Sequence, residues 1–167
     1  NVDDSSALIT SVWLCVMGRL VAEGTPDNLI TFTSDAANPQ KGDWAGILFH
    51  EITGDSSLQH CLVEYGEDAI NTSGDGDTNY TIKIHNNHIR YSEDGILLSS
   101  VGNADIQYNT IHDNNEGIEY HKSMQGYCKS VTLENNIIVY NSDTGIYNHS
   151  KGCPYVTSYN DVWSNGV

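Results

Sequence analysis

A motif returns every two dozen residues or so along this chain, and such a repeat restricts the fold more tightly than any local propensity. It reads I-H-N-N-H-I-R-Y-S-E-D-G-I from Ile84 to Ile96 and I-Q-Y-N-T-I-H-D-N-N-E-G-I from Ile106 to Ile118. From Leu133 to Ile146 it reads L-E-N-N-I-I-V-Y-N-S-D-T-G-I. Aligned, the copies form columns. Cys61, Asn87, Asn109, Asn136 and Asn160 make one column, with successive spacings of 26, 22, 27 and 24. Val63, Ile89, Ile111, Ile138 and Val162 make the next. A small residue then precedes Ile at Ala69-Ile70, Gly95-Ile96, Gly117-Ile118 and Gly145-Ile146.

Upstream of each Asn, apolar residues alternate: Ile82 and Ile84, Ala104 and Ile106, Val131 and Leu133. Alternation with period two marks strands with one buried face, and helical spacing is not sustained anywhere. Short strands separated by polar turns, at this period, predict an all-β parallel β-helix, a single-stranded solenoid of about six to seven coils. Stacked Asn side chains can bond along the axis as a ladder, and Asn at a tight turn tolerates left-handed geometry. The glycines suit a bend where φ is positive or the backbone is crowded. Residues 1–167 read as one domain, with 1–17 an N-terminal cap or first coil and 71–80 an inserted loop.

Charge limits the partners. The chain carries 22 acidic and 7 basic residues, a formal net charge of -15. Phosphate contacts need Lys or Arg, so nucleic acid and anionic membrane surfaces are disfavoured. Polyanionic sugars are disfavoured too, unless a cation bridges them. No apolar run approaches the roughly 18 residues of a membrane span, so no membrane insertion is expected. The chain begins at Asn1 without an initiator Met, as a processed secreted protein or an excised fragment does.

Nearer the start, Gly18 to Pro26 reads G-R-L-V-A-E-G-T-P, Ile30 to Ser34 reads I-T-F-T-S, and Gly42 to Phe49 reads G-D-W-A-G-I-L-F. With the N-x-I and G-I coils that follow, these segments resemble right-handed parallel β-helix proteins of the pectate-lyase-like superfamily. More narrowly they resemble its extracellular members with carbohydrate-binding and sugar-hydrolase type repeats, over residues 18–166. The resemblance implies a right-handed solenoid and an extracellular or cell-surface setting. It does not fix an activity, since this fold hosts lyases, hydrolases, epimerases, adhesins and inert scaffolds. The paired-Asp, Gly-His-Gly and Arg-x-Lys motifs of the hydrolases are absent.

Several columns could carry chemistry. Glu64, Arg90 and His112, continued by Val139, form either an acid–base cluster or a solvated charged face. Asp68, Asp94, Glu116 and Asp143, before the small-Ile step, are either turn caps or a line of cation sites. Asp75, Asp77 and Asn79 place oxygen ligands at alternate positions of a loop, a pattern compatible with calcium, though the full calcium-loop motif is not met. Tyr65, Tyr91 and Tyr140, interrupted by Asp113, suit either sugar stacking or an aromatic ladder. Trp44 and Trp163 read as structural, and no His-Cys set has zinc spacing. Cys128 and Cys153 fall on adjacent coils at nearly equivalent places, which suits a disulfide and an oxidising compartment. Cys15 and Cys61 are expected to be reduced and buried. Asn71, Asn79 and Asn148 head glycosylation sequons.

The repeat stops at Asn165-Gly166-Val167 without completing its turn. A longer β-helix, loops over the open end, or head-to-tail docking of a second copy each account for that. The leading functional expectation is a non-catalytic, structural or self-assembling extracellular module that needs no cofactor. A carbohydrate-binding module, with calcium as a candidate aid, comes next. A polysaccharide lyase or glycoside hydrolase centred on Glu64, Arg90 and His112 comes third.

Overall fold

From the second coil on, two single residues per coil, held in the left-handed region, bend this chain into its shape. In the computed structural model, which describes residues 12–73, 79–100, 102–121, 130–149 and 155–166, positive φ recurs in two columns. His60, Asn86, Tyr108, Asn135 and Tyr159 form the first, Tyr65, Tyr91, Asp113, Tyr140 and Ser164 the second. Each costs roughly 1–2 kcal/mol for a residue with a Cβ, so something at each corner must compensate.

The strands run between these bends. The first coil, or rung, holds β1 (Trp13–Val16), β2 (Val21–Glu23) and β3 (Ile30–Phe32). The second holds β4 (Gly46–Phe49), β5 (Ser56–Gln59) and β6 (Cys61–Glu64). The third holds β7 (Asp68–Ser73), β8 (Thr81–His85) and β9 (His88–Arg90). Then come β10 (Asp94–Ser100), β11 (Asn103–Gln107) and β12 (Thr110–His112), followed by β13 (Glu116–Tyr120), β14 (Ser130–Glu134) and β15 (Ile137–Val139). The last set is β16 (Thr144–Asn148), β17 (Tyr155–Ser158) and β18 (Asp161–Trp163).

Every third strand pairs, always in parallel, giving three sheets of 6 strands each. The first sheet contains β1, β4, β7, β10, β13 and β16; the second runs from β2 to β17 and the third from β3 to β18. The third-sheet strands are short because they fit between the two left-handed bends. No helix occurs among the described residues, and none is long and apolar enough to cross a membrane. The all-β parallel solenoid expected from the repeat is the fold observed.

Three apolar columns fill the interior, one from each sheet. Ile47, Ile70, Ile96 and Ile118 come from the first, Leu58, Ile84, Ile106 and Leu133 from the second, and Val63, Ile89, Ile111 and Ile138 from the third. Burial of such side chains contributes roughly 1.5–3 kcal/mol apiece.

The Asn column is a buried hydrogen-bonded ladder. Asn109 donates from Nδ2 to Ile84 O at 2.7 Å and to Asn136 Oδ1 at 2.9 Å, while its own Oδ1 accepts from Asn87 N and Nδ2, both at 3.0 Å. Cys61 begins the ladder, its backbone N–H donating to Asn87 Oδ1 at 2.8 Å. The left-handed residue is the one before each Asn, not the Asn itself. A second ladder, which the sequence reading did not identify, repeats this arrangement five places on. Gly66 N donates to Ser92 Oγ, Ser92 N to Asn114 Oδ1, Asn114 to Asn141, and Asn141 to Asn165. Each bend is therefore followed directly by a ladder residue whose bonds offset its strain.

Some expectations change. Gly95, Gly117 and Gly145 answer to crowding, not to positive φ: a Cβ on Gly117 would lie 2.4 Å from Gly145 O and 2.8 Å from Ile138 Cγ2. Ile30, which opens the alternating I-T-F-T-S segment, is exposed in the first rung, while Phe32 packs on the core. Cys61 is buried as expected, but Cys15 is exposed on β1. Trp13–Val16 forms a strand of the first rung by pairing with β4. Of the expected insertion at 71–80, Asn71 to Ser73 remain in β7. The first rung joins the second by a long link, residues 33–45, between third-sheet and first-sheet strands; from the second rung on, variation in coil length gathers between the first-sheet and second-sheet strands.

Candidate acid–histidine site on the first sheet

The first sheet stacks acidic residues at its leading edge. Asp68 pairs with Asp94 and Asp94 with Glu116 in register, and Thr144 follows opposite Glu116. Asp143, expected in this column, is displaced by one residue because the turn before β16 carries an extra position. Three places on, Glu119 of β13 is buried, at 8% exposure. One carboxylate oxygen from each of Asp94, Glu116 and Glu119 lies within 4.8 Å of the others. Like charges this close cannot all ionise freely.

The protonation states follow from that crowding. Burial, then the charges of Asp68, Glu119, Glu116 and Glu93, push the Asp94 carboxyl up to about 7. Burial likewise raises Asp68, against hydrogen bonds from Asn71 and from Asp94. Asn71 donates Nδ2 to Asp68 Oδ2 at 2.6 Å. Burial also raises Glu116, helped by Glu119 and Asp143 and opposed by His149 and His121. Glu116 Oε2 is buried with no hydrogen-bond partner. The hydrogen bonds of Asp68 go to side chains, not to the backbone N–H groups that a turn cap would hold.

Histidines close the lower edge. His121 and His149 follow the ends of β13 and β16 on adjacent rungs, anchored by His121 N donating to Leu98 O and His149 N to Tyr120 O, each at 2.9 Å. His121 Nε2 contacts Glu119 Oε1, and His149 Nε2 lies 3.2 Å from the same oxygen. Tyr147 packs edge-on against His149, with ring centroids 4.1 Å apart. Exposed neighbours and a buried carboxylate make this a polar face open to ligands.

The sites expected from the sequence lie elsewhere. Glu64 and Arg90 do meet across adjacent rungs, Arg90 Nε donating to Glu64 Oε2 at 2.9 Å, and Thr33 Oγ1 donates to Glu64 Oε1 at 3.0 Å. His112 sits in register with Arg90 but turns to Asp113, with Nδ1 2.7 Å from Oδ2. The three thus form an ion pair and a separate His–Asp pair, not one cluster. Tyr65 and Tyr91 stack on each other, centroids 5.8 Å apart, and Arg90 lies 5.0 Å from the Tyr91 ring centre. Tyr140, more exposed, meets Trp163 edge-on. Trp44 donates Nε1 to Glu64 O at 2.9 Å, as a structural residue does.

Asp75 and Asp77 of the calcium pattern lie outside the described residues, as do Cys128 and Cys153; Asn79 is exposed. Of the sequon residues, Asn148 is exposed, whereas Asn71 is buried with its amide donating to Asp68.

Fold and face together define a three-sided parallel β-solenoid with a polar acid–histidine surface. The chain matches the family model described as right-handed beta helix region over residues 27–166, and it belongs to that family. No curated protein and no solved structure matches it.

Proposed function

We propose that this domain cleaves an extended glycan laid across the rungs of the first sheet. The observation that supports this most is the trio Asp94, Glu116 and Glu119, with carboxylate oxygens within 4.8 Å on a partly exposed face. Asp94 holds a proton near neutral pH, as a general acid must. It would pass that proton to the glycosidic oxygen, whose bond breaks as Glu116 attacks the anomeric carbon; a water that gives its proton back to Asp94 then releases the sugar from Glu116. Such closeness sits nearer to the ~5–5.5 Å of a retaining pair than to the ~6.5–9.5 Å of an inverting one. Leu97 and exposed Tyr147, in register either side of Glu119, offer apolar surface to sugar rings. The acidic face favours neutral or amino sugars over uronates. An extracellular or cell-surface setting fits such a substrate.

Reducing-end release from a panel of neutral polysaccharides tests the reading. Activity should fall as pH rises through about 7, where Asp94 loses its proton, and Asp94→Asn should abolish it. Retardation in glycan-loaded gels without turnover would favour the carbohydrate-binding alternative. Neither turnover nor retardation on any polymer would overturn the glycan reading.

A second reading, self-association, is favoured by one observation. The outermost described rung leaves Val162, in the column of buried Ile138, exposed beside Trp163, an apolar surface that suits a neighbouring copy. Sedimentation velocity over a concentration series checks it; a single monomeric boundary throughout would argue against it.

A further inference from the structure

We propose that Glu119, His121 and His149 form a binding site for a divalent first-row transition ion of the zinc class. The three donor atoms lie within 4.8 Å of one another and come from two adjacent rungs. Both imidazoles aim Nε2 at one carboxylate oxygen of Glu119. A tetrahedral zinc site with bonds of about 2.0–2.1 Å holds its ligand atoms about 3.3 Å apart. The 3.2 Å between His149 Nε2 and Glu119 Oε1 already matches one such edge. Opening of the tighter His121 contact, on an exposed side chain, would complete the three-ligand face.

A second observation points the same way. Glu116 Oε2, buried and without a partner, belongs to the neighbouring carboxylate trio that shares Glu119. It is an acceptor waiting for a cation or for a water held by one. An ion here would also supply the positive charge that Asp94, Glu116 and Glu119 lack among themselves. Two imidazoles and one carboxylate suit zinc, cobalt or nickel; calcium takes oxygen ligands instead. Both histidine side chains are nearly half exposed, at 49% and 43%, so an ion has a path from solvent. The scaffold adds rigidity, since each histidine backbone is bonded to the preceding rung and Tyr147 braces the His149 ring. This site stands apart from the glycan reading, because ion binding is measured without any sugar.

Titrating the untagged, metal-free full chain with Zn2+ by calorimetry, and with Co2+ by visible absorption, tests it. One equivalent should bind, with a cobalt spectrum of nitrogen–oxygen coordination and no displacement by Ca2+. His121→Ala and His149→Ala should each weaken binding by at least about tenfold. Glu119→Gln should do the same, and His88→Ala, an exposed histidine on the third sheet, should change nothing. Circular dichroism confirms that each variant folds. Absence of binding, or affinity unchanged in both His121→Ala and His149→Ala, would overturn the proposal.

Discussion

Two stacks of polar residues run along this solenoid, and they could hardly differ more in how they are satisfied. In the Asn ladders each amide both donates and accepts, so identical residues on successive rungs complement one another. Asn87, Asn109, Asn114, Asn136 and Asn141 are all buried to about 1% exposure or less, with donors and acceptors paired. On the first sheet the stacked groups are carboxylates, which offer only acceptors when ionised. There the result is a raised Asp94 and an unpartnered Glu116 oxygen. Stacking alone therefore does not mark a structural column; self-complementarity does. The ladders hold the rungs together, whereas the acidic row costs stability and leaves groups free for a ligand.

The sharpest way to break this contrast is to cut a ladder. Asn109→Ala strands Asn87 N–H and Ile84 O in the interior. Unsatisfied buried groups cost about 1–3 kcal/mol each, so the variant should lose about 3–5 kcal/mol in urea unfolding. Asn165→Ala, in the outermost described rung, should lose less. Next in size is Gly117→Ala. Its new Cβ meets Gly145 O at 2.4 Å, and overpacking of this kind costs about 1–3 kcal/mol, visible as a lower melting temperature. Arg90→Ala should cost about 1 kcal/mol or less, because the Arg90 side chain is 34% exposed and water screens its pair with Glu64. The smallest effect is chemical. Cys15 should react quickly with a maleimide in the native protein, while Cys61, its thiol pushed up to about 11 by burial, should react only on unfolding. Peptide mapping of the labelled protein reads both.

Much of the fold was legible because a solenoid writes its three-dimensional neighbours at a nearly constant interval. The first Asn ladder, the inward Ile columns and the small-Ile step all survive as simple alignments. The second ladder follows the same intervals but begins with Gly66 and Ser92, so side-chain identity hid it. Asp143 was misplaced for a related reason: one extra residue before β16 slides Thr144 into the column. The candidate site was less legible still. The acidic row was visible, but its raised carboxyls depend on burial, which spacing does not encode. His121 and His149 could be aligned too, since each stands three places after the Ile of a Gly-Ile step and those steps pair in register, but an alignment does not show that both rings turn to Glu119. The Glu64–Arg90 contact was correctly placed, yet His112 left it for its own neighbour Asp113, a local choice of side-chain direction.

The central claim is that the first-sheet row exists at the expense of the fold, and Asp94→Asn in the presence of a chelator tests it most directly. The carboxyl sits at about 7 when folded against the ordinary 3.8 of an Asp, so the folded state binds that proton more tightly. Its contribution is fully present below about 3.8 and is lost as pH rises toward 7. Removing the charge should therefore raise the melting temperature at pH 8, by the equivalent of about 1–2 kcal/mol once solvent screening is discounted. The two proteins should converge in acid. A variant that melts lower than the parent at pH 8 would mean that Asp94 holds the rungs together, and would contradict the account.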